Sequence, residues 1–125
     1  MPKIDRKLIA RKENVVQDLK KIIKPENIIY HEDETRPFET DALSAYKKKP
    51  LIVVFPENTE EVSKILSYCN KNKIKVVPRG AGTGLSGGSL PLEDSILLCL
   101  GKFNKILNID YKNRCVVAQP GVTNL

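Results

Sequence analysis

The chain has 125 residues, of which 41% are hydrophobic and 29% are charged, and its net charge is +6. This length and composition suit one globular domain. The longest uncharged apolar stretches are about six residues, far short of the roughly 20 that a membrane-spanning helix needs. The first residues also lack the apolar core of a signal peptide. We therefore expect a cytoplasmic protein without a transmembrane segment, associated with a membrane only through partner subunits.

The positive charge is spread evenly, because residues 1–49 and residues 50–125 each carry +3. The single basic cluster, residues 47–49, has no aromatic platform interleaved with it. Nucleic-acid-binding proteins concentrate their positive charge on one surface. The sequence therefore favours a solvated turn at this cluster and no nucleic-acid partner.

Cysteine and histidine usage argues against a metal or redox site. Cys69, Cys99 and Cys115 are widely spaced in apolar runs, and no C-x-x-C pair exists. We expect three buried, reduced thiols. The single histidine, His31, has no second histidine for a metal site or triad, so a solvated loop position is expected.

Residues 1–27 predict an N-terminal helical segment that ends at Pro25. Its apolar residues recur at helical spacing: Val15, Val16, Leu19, Ile22 and Ile23. Residues 28–30 predict a short strand. Residues 31–50 show no periodicity and predict an irregular segment.

A strand, a helix and a second strand follow. Residues 51–55 are continuously apolar, which is typical of a strand buried on both faces. The sequence Asn58-Thr59-Glu60-Glu61 resembles a capping box. The apolar residues after it lie on one helical stripe: Val62, Ile65, Leu66 and Cys69. With a strand at residues 74–77, this pattern predicts a parallel, right-handed βαβ unit.

Residues 78–91 carry the most informative pattern, Pro-Arg-Gly-Ala-Gly-Thr-Gly-Leu-Ser-Gly-Gly-Ser-Leu-Pro, with five of the seven glycines. Glycines after a strand let successive N–H groups point into one concavity, which suits an anion. Arg79 adds a positive charge, and Thr83, Ser86 and Ser89 add hydroxyl donors. We interpret the segment as a loop that holds a phosphate or pyrophosphate.

Three alternatives to this interpretation are weaker. A Gly-Ser linker would lie in polar, low-complexity sequence, whereas apolar runs flank this loop. Residues 82–87 match G-x-G-x-x-G, but no helix follows as a Rossmann fold requires. Residues 82–89 nearly match a P-loop, but Gly88 stands in the place of the lysine.

The remaining sequence predicts a strand at residues 96–100 and a hairpin. Its strands are residues 106–109 and 115–118, around the turn Asp110-Tyr111-Lys112-Asn113. A second glycine turn, Pro120-Gly121-Val122, follows.

These motifs together resemble the FAD-binding domain of FAD-linked oxidases of the vanillyl-alcohol oxidase/PCMH type. Residues 36–46, Arg-Pro-Phe-Glu-Thr-Asp-Ala-Leu-Ser-Ala-Tyr, are similar to the group containing the glycolate oxidase FAD subunit and the D-lactate dehydrogenases. The resemblance implies an α+β fold and covers residues 28–125. It implies the N-terminal portion of a PCMH-type domain: a βαβ unit, a pyrophosphate loop and an antiparallel hairpin.

The resemblance also implies site residues for FAD. The loop would hold the pyrophosphate and ribityl chain with its backbone: Arg79, Gly80, Ala81, Gly82, Thr83, Gly84, Leu85, Ser86, Gly87 and Gly88. Pro56 would border the adenine side, and the second glycine turn would line the cofactor further along: Pro120, Gly121 and Val122. Some relatives attach flavin through a histidine of this loop, whereas Ala81 and Gly82 imply noncovalent binding here.

Family members run to several hundred residues, and their cap domain and catalytic groups are expected beyond residue 125. We therefore expect a truncated or split 2-hydroxy-acid oxidoreductase that is inactive alone, with no catalytic or metal-binding residues in this chain. Its partners would be a missing C-terminal half or other oxidase subunits. Two alternatives remain, a non-enzymatic basic module for anions or nucleic acid and a nonfunctional remnant of a broken gene. The substrate, the electron acceptor and the oligomeric state are left open.

Overall fold

The computed structural model describes residues 3–123. The helices are α1 (Arg6–Ala10), α2 (Lys12–Leu19), α3 (Glu32–Thr35) and α4 (Thr59–Lys71). The strands are β1 (Ile28–Ile29), β2 (Ile52–Val54), β3 (Lys75–Arg79), β4 (Ser95–Cys99), β5 (Ile106–Asp110) and β6 (Cys115–Ala118). Short 3-10 turns occupy Pro25–Asn27 and Arg36–Phe38. Within residues 3–123, no helix combines the length and the apolarity needed to cross a membrane.

The main sheet has four strands in the order β1-β2-β4-β3. Strand β4 runs parallel to both β2 and β3, and β1 pairs antiparallel with β2. The predicted strands β2 and β3 are therefore parallel but not neighbours, because β4 inserts between them. Leu97 of β4 pairs with Val53 on one side and Val77 on the other. This mixed sheet confirms the α+β class.

Helices cover one face of this sheet in a single core. The strand residues in that core are Ile28, Ile52, Val54, Ile96 and Leu98. The helices contribute Leu8, Val15, Val16, Leu19, Ile65 and Cys69. Since successive side chains alternate between faces, Val53 and Leu97 lie on the other face with Phe38 and Phe55, whose ring centroids are 5.8 Å apart. The N-terminal segment thus shares its core with the sheet.

The N-terminal segment has two helices where the periodicity predicted one. Helix α1 was not predicted, since it has five residues and buries only Leu8, which gives no periodicity to detect. The side chain of Asp5 caps it by accepting from the N–H groups of Lys7 and Leu8 at 3.0 and 3.1 Å. Helix α2 ends at Leu19, and the chain turns before Pro25.

Helix α4 begins at the predicted cap, but it buries fewer of the apolar residues than the sequence predicted. The side chain of Asn58 accepts from the N–H of Glu61 at 2.9 Å, and Glu61 Oε2 accepts from the N–H of Glu57 at 2.7 Å. Ile65 and Cys69 are buried, but Leu66 is 45% exposed. The prediction that Leu66 belongs to the buried stripe is wrong, because the helix buries a narrower face than the sequence suggests.

The three cysteines differ in environment. Cys69 and Cys99 are buried and free, and burial raises the pKa of each thiol to about 11. Cys115 is free but exposed, because it lies in the hairpin. The expectation of three buried thiols is therefore wrong for Cys115.

Strands β5 and β6 form a separate two-stranded hairpin, as predicted. Asp110 holds its turn by accepting from the backbone and side-chain amides of Asn113 at 2.9 and 2.7 Å. Five apolar residues of the hairpin are between 48% and 61% exposed: Ile106, Leu107, Ile109, Val116 and Val117. The hairpin therefore presents uncovered apolar surface in this chain.

Candidate functional site

The glycine loop connects β3 to β4, which are adjacent and parallel. Residues 80–94 must therefore return along the sheet, and they do so without a helix. Among the described residues, no N–H group from Gly80 to Ser89 donates a hydrogen bond. Free backbone N–H groups of successive residues can bind an anion where they point into one concavity.

Glycine is required at two bends of this loop. Gly82 and Gly87 both have φ of +71°. Residues with a Cβ rarely adopt this conformation. Side chains at these positions would therefore strain the curvature that leaves the N–H groups free.

The Arg79 side chain turns inward and is only 7% exposed. Its Nη2 donates to the carbonyl oxygens of Thr40 at 2.6 Å and Ser89 at 2.8 Å, and its Nη1 donates to that of Phe38 at 3.3 Å. The guanidinium therefore points into the protein, and the role of the Arg79 backbone at a pyrophosphate stays a prediction. Its two Nη groups donate to protein carbonyl groups, whereas the buried Nε has no hydrogen-bond partner among the described residues.

Residues 40–43, which belong to the segment predicted as irregular, pack against the loop. The Ala42 N–H donates to the carbonyl oxygen of Gly82 at 2.9 Å. Asp41 is buried, and its Oδ1 accepts from the Leu43 N–H at 2.9 Å. Nothing in the spacing of these residues signals that contact, since it joins chain positions 40 residues apart through backbone atoms.

A cavity of about 490 Å³ brings the two predicted glycine segments together. It lies at the carboxyl ends of β3 and β4, where open α/β sheets bind ligands. Its lining residues are Gly80, Ala81, Gly101, Pro120, Gly121, Val122 and Thr123. Five residues of the predicted cofactor site thus line one space.

Gly121 fits this place because it has no side chain. A Cβ on it would lie 2.6 Å from the carbonyl oxygen of Leu100 and 2.8 Å from that of Phe103. Both distances are shorter than real Cβ contacts. The second glycine turn can therefore approach the loop after β4 only with glycine at this position.

The other predicted site residues lie outside the cavity. Loop residues exposed on the surface are Thr83, Gly84, Leu85, Ser86 and Gly88. Leu85 is 73% exposed. Pro56 is fully buried and does not line the cavity, so the structure does not offer its side chain for the predicted cofactor contact.

A polar cluster beside the site was missed from the sequence. Asn27 is fully buried, accepts a hydrogen bond from Lys102 Nζ and donates to Glu57 Oε1 at 3.0 Å. Hydrogen bonds from Asn27 and Lys24 lower the pKa of Glu57 to about 2. The cluster ties the loop after β4 to the residues around β1 and β2. An isolated asparagine carries no sequence signal for such a role.

The basic cluster at residues 47–49 is partly neutralised. Lys48 Nζ lies 2.8 Å from Glu93, and Lys47 Nζ lies 3.8 Å from Glu39. These pairs agree with a solvated turn and weaken the case for a phosphate-binding basic surface.

Known proteins resemble this chain in sequence. It is 42% identical to "Glycolate oxidase subunit GlcD" of Escherichia coli (strain K12), covering 100% of this chain and 24% of that protein. It is 38% identical to "D-lactate dehydrogenase" of Anaerostipes hadrus, covering 82% of this chain and 22% of that protein. The chain thus spans about a quarter of the length of these relatives.

Solved structures resemble it in fold. The 4-ethylphenol oxidase from Gulosibacter chungangensis superposes with a TM-score of 0.79 at 28% identity, over 95% of this chain and 23% of that one. A p-cresol methylhydroxylase gives a TM-score of 0.72 at 21% identity, over 96% of this chain and 24% of that one. The second likeness supports the PCMH-type fold.

The family described as "FAD binding domain" matches residues 50–125. That range includes the glycine loop, the hairpin and every residue that lines the cavity. The resemblance stated from the sequence is therefore confirmed, and this chain belongs to the FAD-binding domain family of FAD-linked oxidases.

Proposed function

We propose that this chain supplies the pyrophosphate-binding part of the FAD site in a 2-hydroxy-acid oxidoreductase. The observation that carries the proposal is the run of free N–H groups from Gly80 to Ser89, which begins at the cavity shared with Gly121. A diphosphate needs several donors and close backbone approach. Both are present, so the residues fit the cofactor that the family implies.

The cofactor would be held noncovalently. The loop residues in the cavity, Gly80 and Ala81, have no nucleophilic side chain that could bond to the flavin. Hydrogen bonds to charged groups contribute about 1.5–3 kcal/mol each. A few such bonds from a preformed loop support micromolar affinity, about −8 kcal/mol.

The substrate class comes from the relatives, whose names specify glycolate and D-lactate. Oxidation of a 2-hydroxy acid by flavin needs a base for the hydroxyl proton and a cation for the carboxylate. In this chain His31 is exposed and stacks on Tyr30, with ring centroids 4.3 Å apart, and Arg79 is engaged with carbonyl groups. We propose that polypeptide beyond this chain supplies the catalytic groups.

Equilibrium dialysis with FAD tests the cofactor proposal. The wild-type chain should retain FAD at micromolar concentration, and Gly82→Val should lose about tenfold or more in affinity because valine is strained at positive φ. Ala45→Val, at an exposed position outside the loop, is the control. Wild-type affinity weaker than about 1 mM, some −4 kcal/mol, would reject the proposal.

The partner would be polypeptide corresponding to the rest of the relatives, whether the C-terminal part of one protein or another oxidase subunit. The uncovered apolar residues of the β5–β6 hairpin support this, since isolated two-stranded hairpins are marginally stable. Cys115 is exposed and lies in β6, so the reactivity of its thiol shows whether a partner covers the hairpin.

Alkylation of Cys115 tests this partner. The residues of the Escherichia coli relative that follow its matched segment should slow the reaction when they are added as a separate polypeptide. The same amount of an unrelated protein is the control. An unchanged alkylation rate, measured where the two polypeptides are shown to mix and remain folded, would argue against the hairpin as the docking surface.

A cytoplasmic location is the last part of the proposal. The exposed free thiol of Cys115 supports a reducing compartment, where such thiols persist. Recovery of the chain mainly from the extracellular fraction, or from membranes that a high-salt wash does not strip, would contradict this location.

A further inference from the structure

Arg79 occupies an unusual position for a cation. It is the last residue of β3, it is 7% exposed, and three of its hydrogen bonds end on backbone carbonyl oxygens. Arginine is seldom buried unless it is paired, and here both Nη groups are hydrogen-bonded while Nε has no partner among the described residues. The guanidinium is therefore held by the fold and is not a free surface charge.

Its three acceptors come from two separate parts of the chain. Phe38 and Thr40 precede β2, whereas Ser89 lies near the end of the glycine loop. Arg79 itself stands immediately before the loop. The side chain thus joins the start of the loop, its far part and the neighbouring segment of residues 38–43.

The bend at Gly82 lies next to this side chain. A Cβ placed on Gly82 would be in van der Waals contact with the guanidinium, 3.5 Å from Arg79 Nε and 3.7 Å from Cζ. On its other side, the Gly82 carbonyl accepts from the Ala42 N–H at 2.9 Å. Asp41 fixes the turn that presents Thr40 and Ala42, through its bond to the Leu43 N–H.

We propose that Arg79 is a positioning residue. From the buried side of the glycine loop it holds the loop in its anion-binding shape, without contacting the phosphate groups. The inference rests on the proposed FAD site and adds to it a reason why the loop is preformed. Preorganised binding groups lose less entropy when the ligand arrives. The planar fork of the guanidinium is needed because one ammonium cannot reproduce its fixed set of donors.

Hydrogen exchange and FAD affinity, measured on the same variants, test this role. Arg79→Met removes the donors, Arg79→Gln keeps a shorter amide, and Lys112→Met, the control, removes an exposed cation from the hairpin turn. The Ala42 amide reports on the loop contact without any cofactor. The Val53 amide in β2 reports on the core.

In Arg79→Met, exchange at Ala42 should accelerate about tenfold or more while Val53 changes little, because the contact opens locally. FAD affinity should fall by about tenfold or more, and Lys112→Met should leave both within about twofold of wild type. The exchange rate at Ala42 and the FAD affinity of Arg79→Gln should lie between those of Arg79→Met and wild type. If Arg79→Met does not fold, Arg79→Gln is the variant that tests the role.

Two results would overturn the inference. Unchanged exchange at Ala42 would mean that Arg79 does not hold the loop. Lost FAD affinity with unchanged exchange at Ala42 would instead indicate direct contact with the cofactor. If wild type itself fails to bind FAD, the proposed function fails, and the exchange data alone decide whether Arg79 positions the loop.

Discussion

The N–H of Gly121 donates to the carbonyl oxygen of Phe103 at 2.7 Å. This bond fixes the second glycine turn against the loop that follows β4. It brings Pro120 and Val122 to the same cavity as Gly80 and Ala81. A backbone hydrogen bond to the loop after β4 therefore helps to place the second glycine turn beside the glycine loop.

Gly121→Ala should disrupt the close packing of the second glycine turn against the loop that follows β4. The new methyl would meet the carbonyl oxygens of Leu100 and Phe103, neither of which can move without shifting backbone. We expect a loss of about 1–3 kcal/mol in the free energy of unfolding, measured with urea. Gly101→Ala is the matched control in the same cavity, since a Cβ there has no atom within 4 Å. Equal losses in both variants would contradict the steric explanation.

Asp94→Asn should change the pH dependence of stability. Burial raises the pKa of Asp94, but hydrogen bonds from Lys75 Nζ at 2.6 Å and the Asp5 N–H at 2.7 Å outweigh burial and lower it below 3.8. A lowered folded pKa means that the carboxylate stabilises the fold above its unfolded pKa. That contribution is lost as the pH falls through the folded pKa.

The variant should therefore be less stable by about 3 kcal/mol at neutral pH, because Lys75 loses its charged partner. Below about pH 4 the difference should shrink, since wild type then loses the same interaction. Urea unfolding across this pH range measures the effect. Asp33→Asn, at an exposed position of α3, is the control. A difference that stays constant with pH would show that ionisation of Asp94 is not the cause.

Asn27→Ala should raise the pKa of Glu57. Asn27 is the largest cause of the lowered value of about 2, and the ordinary value is 4.5. Loss of a buried amide that binds both Lys102 and Glu57 should also destabilise the fold by about 2 kcal/mol. NMR titration of the Glu57 side chain gives the pKa, and Asn70→Ala on the exposed face of α4 is the control. An unchanged Glu57 pKa would contradict the assigned cause.

The chain alone should not oxidise glycolate or D-lactate with dye acceptors, even with excess FAD. Among the described residues, those that line the cavity include no histidine, carboxylate, lysine or arginine that could serve as base or carboxylate partner. Dye reduction measures turnover, with a complete relative as positive control. Turnover that disappears in Gly82→Val would place a catalytic base in this chain and contradict the prediction.

The sequence predicted the local elements well where periodicity or turn chemistry was strong. Asn58 caps α4 and Asp110 shapes the hairpin turn, because both depend on neighbours within a few residues. The insertion of β4 between β2 and β3 could not be predicted from local pattern, since it depends on which strand edges pair. Similarly, the spacing of the glycines predicted a curved loop after β3. The inward direction of the Arg79 side chain depends on carbonyl groups distant in sequence, so it could not be predicted.

Side-chain burial was the other weak point. Leu66 and Cys115 lie in apolar stretches yet are exposed, because the helix buries a narrow face and nothing within residues 3–123 covers the hairpin. Asn27 is polar and fully buried, since its partners come from residues 30 and 75 positions away. The hydropathy of a segment depends only on its own residues, whereas the burial of each of these side chains depends on tertiary contacts.

NMR mapping of FAD binding tests most directly whether the glycine loop is a pyrophosphate site. Adding FAD to the labelled chain should shift the amides of residues 80–88 and Gly121, with half-saturation in the micromolar range, about −8 kcal/mol. ADP should shift the same loop amides, because it carries the diphosphate, whereas riboflavin, which has no phosphate, should not. Loop amides that stay unchanged at about 1 mM FAD, or that respond equally to riboflavin, would contradict pyrophosphate binding by this loop.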